Sequence, residues 1–292
     1  MIYDIRQTTI CTYASPVAHA RHVLHLTPID RTGQHVHIAS LQIVPEPSQR
    51  GEGHDFFGNR ITWITLVDRH DKLTVKMSAR VAVDETAAPE ALTTPAFEAV
   101  REEVFATAEI GKMSPAHFLF PSRMVSLDPE IREYARQSFA SGRPLLEGAI
   151  DLMYRIKADM VYDTDATTVT TTPPMSFALR RGVCQDFAHI MISGLRGIGL
   201  PAAYVSGYLR TVPRQGATQL QGSDAMHAWV LVWCGSATGW IGLDPTNAKP
   251  ASDDHVTLAI GRDYTDVAPI DGVIVVSGSQ RITESVNVIP VH

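Results

Sequence analysis

Along the first 85 residues the apolar positions recur every second residue. In KLTVKMSARVAV, Leu73, Val75, Met77, Ala79, Val81 and Val83 share one face, with Thr74, Lys76, Ser78 and Arg80 on the other, which is the period of a half-buried strand. RITWITLV, residues 60–67, is rich in β-branched and aromatic residues, and the turn signals DRTG and FFGN (Gly58, Asn59) punctuate these runs. Residues 1–85 therefore read as an antiparallel β domain. The alternation stops in DETAAPEALTTP, so residues 86–95 read as a linker and 96–292 as a second domain.

In the second domain the period lengthens before it shortens again. In SLDPEIREYARQSFASG, Asp128 is placed as an N-cap with Pro129 at the first helical position. Ile131, Tyr134, Ala135 and Phe139 form a stripe that Gly142 ends. Leu145, Ala149, Leu152, Met153 and Ile156 repeat the pattern in a second helix. A third runs from about Cys184 to Gly197 and Gly199, ahead of Pro201, with Gly182 allowing a sharp entry. Beyond it AAYVSGYL, HAWVLVW, GWIGL, GVIVVSG and SVNVIPV return to a period of two. Helices followed by antiparallel strands make this domain α+β.

The composition, with 45% hydrophobic and 19% charged residues among 292, is that of an ordinary globular chain. A formal charge of -6, from 25 basic and 31 acidic residues without a run of one sign, gives no footprint for nucleic acid or an anionic membrane. MIYDIRQTTICTYASP lacks the apolar core of a signal peptide, and no stretch of 18 uncharged apolar residues occurs, so a cytoplasmic, non-spanning protein is expected. The three cysteines, Cys11, Cys184 and Cys234, are odd in number and far apart. That spacing suits neither a disulfide framework nor a CxxC metal site, and leaves single-thiol chemistry.

Cys184 is the candidate. In RRGVCQDFAHIMISGLRGIGLP it opens a helix on the face shared by Phe187, Ala188, Met191 and Leu195. The free N–H groups and positive dipole end of a first turn stabilise a thiolate, and Arg180 and Arg181 add charge nearby. A buried structural cysteine fits the same pattern, so the downstream residues must decide. If HAWVLVW and GWIGLDP form a hairpin, Trp233 faces Trp240, Leu231 faces Gly242 and Trp229 faces Asp244. His227, Trp229 and Asp244 then share a face, with His227 diagonal to Asp244. A slip by one residue puts the pair on opposite faces. In the unslipped register, a cysteine at a helix start plus a histidine beside a carboxylate is the arrangement of nucleophilic thiol catalysis.

GVCQDFAHIMISGLRGIGLPAAYVSGYL, DAMHAWVLVW and GWIGLDPTN resemble the core of the bacterial transglutaminase-like superfamily. TYASPVAHARHVLHLTP and DFFGNRITWI resemble the β-rich domain that precedes it, and IGRDYTDVAPIDG, residues 260–272, resembles a further segment of the group. The resemblance implies a papain-like core with Cys184 as nucleophile, His227 as base then acid, and Asp244 holding the imidazole. It implies a cysteine hydrolase acting on an amide or isopeptide bond through a thioester, in a peptide, a protein or a small amide. The alternatives are a transamidase joining glutamine to an amine and a silent binding module. No metal or organic cofactor is expected, and the oligomeric state is left open. Animal transglutaminases are described as using a tryptophan upstream of the nucleophile as an oxyanion donor. Here Trp63, Trp229, Trp233 and Trp240 leave none between the linker and Cys184. The backbone N–H of Cys184 is one oxyanion donor, and Tyr162 is a candidate for a second. Gln185, Asp186 and Trp229 are candidates for oxyanion or supporting roles, with His189, like Asp186, a supporting or capping group.

Arg262, Asp263, Tyr264 and Asp266 form either a salt-bridged cleft wall or a surface loop. RTVPRQGATQLQGSD, residues 210–224, reads as a movable lip or a hairpin tip. His22, His25, His35 and His37 lack a convincing ligand set and read as solvated strand positions.

Overall fold

The alternation along the first 85 residues becomes the inward faces of two four-stranded antiparallel sheets. The computed structural model describes residues 1–85, 90–210, 225–275 and 277–291. Its β domain contains β1 (Ile2–Val17), β2 (His19–Leu24), β3 (Gln34–Val44), β4 (Gln49–His54), β5 (Arg60–Leu66) and β6 (His70–Val83). All six residues of the β6 stripe are buried, in one cluster with Tyr3, Ile5, Leu24 and Ile64. The second domain opens with α1 (Phe97–Ala106), α2 (Pro129–Arg136) and α3 (Leu145–Asp159). Then come β7 (Val161–Tyr162), α4 (Pro173–Leu179), β8 (Arg181–Gly182) and α5 (Cys184–Gly197). After α5 follow β9 (Ala202–Leu209), β10 (Ala225–Trp233), β11 (Trp240–Asp244), β12 (Lys249–Pro250), β13 (His255–Gly261) and α6 (Tyr264–Val267). The core sheet runs β12-β11-β10-β9-β13. Phe187, Ala188, Met191 and Leu195 of α5 are fully buried among Leu152, Val230 and Val232. Each large side chain so covered is worth about 1.5–3 kcal/mol.

The expected boundary of the second domain needs correction at its C-terminal end. The last strands, β14 (Ile270–Val275) and β15 (Gln280–Val291), pair with β2 and β1, completing the sheets β14-β2-β5-β4 and β15-β1-β6-β3. The 96–292 range therefore assigns to the core two strands that the β domain needs as edges. Of the 86–95 linker, 86–89 lie outside the described residues. The remainder is docked, since Leu145 N–H donates to Pro95 O (2.9 Å) and Leu146 N–H to Thr94 Oγ1 (3.1 Å), satisfying the start of α3. The segment read as a lip lies outside the described residues from 211 to 224.

α2 begins as expected, with Asp128 Oδ1 accepting from Glu130 N–H and Ile131 N–H, but ends at Arg136 instead of running to Gly142. Phe139 turns inward on two further turn hydrogen bonds and packs on Phe97 and Gly148. The histidine-rich block is only partly solvated. His35 is exposed, whereas His22 and His25 are buried, and His25 Nδ1 lies 3.1 Å from Ala268 O, the second domain's last turn before β14. Among the described residues, no helix is long and apolar enough to cross a membrane.

Candidate active site

The approach to Cys184 is set by three short devices. Arg180 ends α4 in the left-handed region (φ 53°), and the parallel pair β7–β8 lays Tyr162 beside Gly182. Asp186 then folds back: its Oδ2 accepts from Val183 N–H (2.8 Å) and from Thr167 Oγ1–H (2.7 Å), capping α5. Gly182 is required by this cap more than by backbone freedom. A Cβ there would stand 2.5–2.7 Å from three atoms of the Asp186 side chain. Burial raises the Asp186 carboxyl against these hydrogen bonds. Cys184 is thus the first residue of a 14-residue helix, partly exposed, while Cys11 and Cys234 are buried. Burial raises the Cys11 thiol and pushes that of Cys234 up to about 12.

The hairpin takes the register expected from the spacing, with Trp233 opposite Trp240 and Leu231 opposite Gly242. It brings His227 Nε2 to 2.8 Å from Asp244 Oδ2. Asp244 has no exposed surface and five donors. Oδ1 accepts from Thr246 N–H (3.0 Å) and Asn247 N–H (3.1 Å). Oδ2 accepts from His227, from Asn247 Nδ2 (2.7 Å) and from His255 Nε2 (3.3 Å). Burial alone would raise the Asp244 carboxyl, but hydrogen bonds from His227 and His255 override it and hold it well below the usual range. Burial would likewise pull His227 down. The hydrogen bond to Asp244 and then the neighbouring Cys184 thiol instead raise it to about 9, an imidazolium at neutral pH. Trp229 stacks on His227 (6.3 Å between centroids, 27°) and meets His255 edge-on at 5.1 Å. Gly207, opposite His227 in the sheet, leaves room for that indole. A Cβ there would stand 2.4 Å from its ring.

The other predicted residues separate. Tyr162 is half exposed, its ring 6.5 Å from Phe187, and burial and then the nearby Cys184 raise its phenol. Gln185 Nε2 donates one of its two N–H groups to Val169 O (3.1 Å), which tethers the preceding loop. Asp263 is fully buried, capping α6 through Thr265 N–H (2.8 Å) and accepting from Met124 N–H (2.7 Å). Tyr264 N–H donates to His189 Nε2 (3.2 Å), and burial pushes His189 down to about 4. Arg262 is paired with Asp266 at 2.8–2.9 Å. Both line a cavity of about 730 Å³ with Phe56, Phe57 and Phe120, and Cys184, His227 and Asp244 are not among its lining residues.

Sequence reasoning missed Asn247 and His255. The first sits three residues past Asp244, at turn spacing. The second opens the β-branched run HVTLAIG, whose period of two was the available signal. Ligand atoms of His227, Asp244 and His255 lie within 4.8 Å of one another. The five donors already on Asp244 make this cluster a hydrogen-bond chain.

Two family profiles match the sequence: "Bacterial transglutaminase-like N-terminal region" over residues 3–82 and "Transglutaminase-like superfamily" over residues 132–245. An "uncharacterized protein" of Mycobacterium tuberculosis is 34% identical over 292 residues, covering 99% of this chain and 92% of its own. One from Mycobacterium leprae is 29% identical over 264 residues, 89% of this chain and 88% of its own. Among solved structures, a "putative cysteine protease" from Cytophaga hutchinsonii superposes with a TM-score of 0.72 at 20% identity. The match covers 100% of this chain and 92% of that one, a likeness of fold.

Proposed function

The chain belongs to the transglutaminase-like superfamily, and from that premise we propose that it is a thiol hydrolase that cleaves an amide or isopeptide bond in a peptide, protein or small amide. The observation that carries this reading is the His227 ring, hydrogen-bonded at 2.8 Å to a sealed carboxylate and close enough to Cys184 for the thiol to help raise its proton affinity. Nε2 faces Asp244, which leaves Nδ1 for the sulfur. An imidazolium there is the counter-ion that a thiolate needs, and the first turn of α5 adds its dipole.

In the proposed cycle the Cys184 thiolate attacks the carbonyl carbon, and the π electrons move to oxygen. The tetrahedral oxyanion takes the Cys184 backbone N–H, with the Tyr162 hydroxyl as the candidate second donor. His227 passes its proton to the leaving nitrogen as the C–N bond breaks, and a thioester remains. Neutral His227 then draws a proton from water, whose oxygen attacks the thioester. Collapse releases the acid and restores the thiolate–imidazolium pair. Asp244 keeps the ring in one tautomer and orientation throughout.

An amine in place of that water gives the transamidase reading. The lack of a tryptophan between the linker and Cys184 favours hydrolysis. The test is a glutamine peptide incubated with and without excess amine. Ammonia and the free acid are expected as dominant products, and Cys184→Ala should abolish both. A dominant amine adduct would replace the first reading with the second. A silent module predicts that iodoacetamide modifies Cys184 no faster than Cys11 and Cys234.

A further inference from the structure

We propose that His255 is a positioning residue that acts through Asp244, holding the carboxylate on the side away from His227 and drawing part of its negative charge from the imidazole. The proposal rests on the reading of Cys184 and His227 given above. Asp244 Oδ2 is shared by two rings, at 2.8 Å from His227 Nε2 and 3.3 Å from His255 Nε2, with ring centroids 6.2 Å apart. The far nitrogen of His255, Nδ1, lies 2.6 Å from Asp254 Oδ1. Each nitrogen of His255 therefore faces a carboxylate oxygen. The contact of Nδ1 with Ser252 N–H, at 3.3 Å, is much longer than that with Asp254. Asp254 is itself fixed by Lys249 Nζ and Ser252 Oγ, and its carboxyl is held well below the usual range, with burial opposed by hydrogen bonds from His255 and Lys249. The chain of contacts thus runs from His227 through Asp244, His255 and Asp254 to Lys249, and the His255 side chain is only 1% exposed.

Among the described residues, these are the charged neighbours of His255. Asp244 faces it from β11, His227 from β10, and Asp254 from the turn before it, with Lys249 of β12 on the far side of Asp254. From the end of β9, Arg210 contributes its backbone N–H to Asp254 O. Arg31 of the β domain donates to Thr257 Oγ1, two residues along β13. Two carboxylates flank the ring directly, and its Nε2 faces Asp244 as a donor. When the donor to Asp244 is removed, more of the carboxylate's charge falls on His227, and its imidazolium holds its proton more tightly. That tighter hold makes it a poorer acid toward a leaving amine, so His255 keeps the proton transferable.

The test needs no substrate. The rate of Cys184 modification by iodoacetamide is measured against pH in the full chain, with thermal melting alongside. In the unaltered protein an alkaline inflection is expected near 9, where His227 loses its proton. His255→Asn can replace Nδ1 toward Asp254 but is too short to reach Asp244, and should raise the inflection by about one pH unit. His255→Gln can reach Asp244 with its amide and should bring the inflection back. His255→Ala should behave as His255→Asn, with a lower melting temperature. A purely structural role predicts lower melting in all three with the inflection unmoved. That result, or a downward shift, overturns the proposal and leaves the Cys184–His227 reading standing. Sluggish modification of Cys184 in the unaltered protein, no faster than Cys11 and Cys234, overturns both.

Discussion

Asp244 shows how a single side chain can be committed in advance to one neighbour. Five donors converge on a carboxylate with no exposed surface, and one of them is the ring whose proton affinity Cys184 helps to raise. Replacing it by Asn keeps the shape and removes the charge. His227 should then fall from about 9 toward its ordinary 6.5, and the alkaline inflection of Cys184 modification should fall with it, opposite in sign to the effect expected of His255→Asn. Stability should follow the same group. A histidine raised from 6.5 to about 9 on folding stabilises fully below 6.5, and its contribution is lost as pH rises through 9. Melting of the unaltered protein should therefore decline across that window more steeply than melting of Asp244→Asn. His227 and Asp244 were legible in the sequence because the apolar alternation on both sides of a six-residue connection offers a register that puts them on one face, with a one-residue slip as the rival, and the resemblance pointed to the same pair. His255 was not, because it reaches Asp244 only once β13 pairs with β9, a contact between strands more than forty residues apart that no local pattern encodes.

At the scale of the element, the start of α5 is built by its own third residue. Asp186 takes the Val183 N–H and the Thr167 hydroxyl, and the backbone of Gly182 passes so close to that carboxylate that no side chain fits. Gly182→Ala should cost about 1–3 kcal/mol by overpacking and slow Cys184 modification several-fold, because the first turn moves with its cap. Asp128→Ala removes an equally clear cap from α2 at about 1 kcal/mol and should leave Cys184 modification unchanged. Comparing the two separates loss of helix stability from loss of thiol placement. The 3.6-residue period located α2, α3 and α5 from the sequence. It overran at Phe139, whose apolar character continues the stripe even though the chain has already turned to pack it over Gly148. It missed α4 because PPMSFAL is too short for a stripe to stand out.

At the scale of the molecule, the β domain finishes the core's open edge. β13 is the outer strand of the core sheet, and beyond it stand two side-chain amides of the β domain that imitate a neighbouring strand. Gln34 Nε2 donates to Thr257 O (2.8 Å) while its Oε1 accepts from Thr257 N–H (2.7 Å). Asn59 does the same for Ile260, with both contacts at 2.7 Å. The strand so clamped is the one that begins with His255, which ties the far domain to the hydrogen bonds around Asp244. A third buried amide, Gln7, meets the Tyr208 hydroxyl at 2.5 Å on β9, and among the described residues its side-chain hydrogen bonds go to Thr9 and Tyr208 and not to β13. Cutting Gln34 and Asn59 to Ala strips partners from buried backbone groups of β13, each worth about 1–3 kcal/mol, and should lower the melting temperature. If the clamp also positions His255, the double variant should raise the alkaline inflection of Cys184 modification as His255→Asn does. Gln7→Ala should lower melting alone. Equal and unshifted inflections in both variants would make the β domain a stabilising partner with no hold on the candidate site.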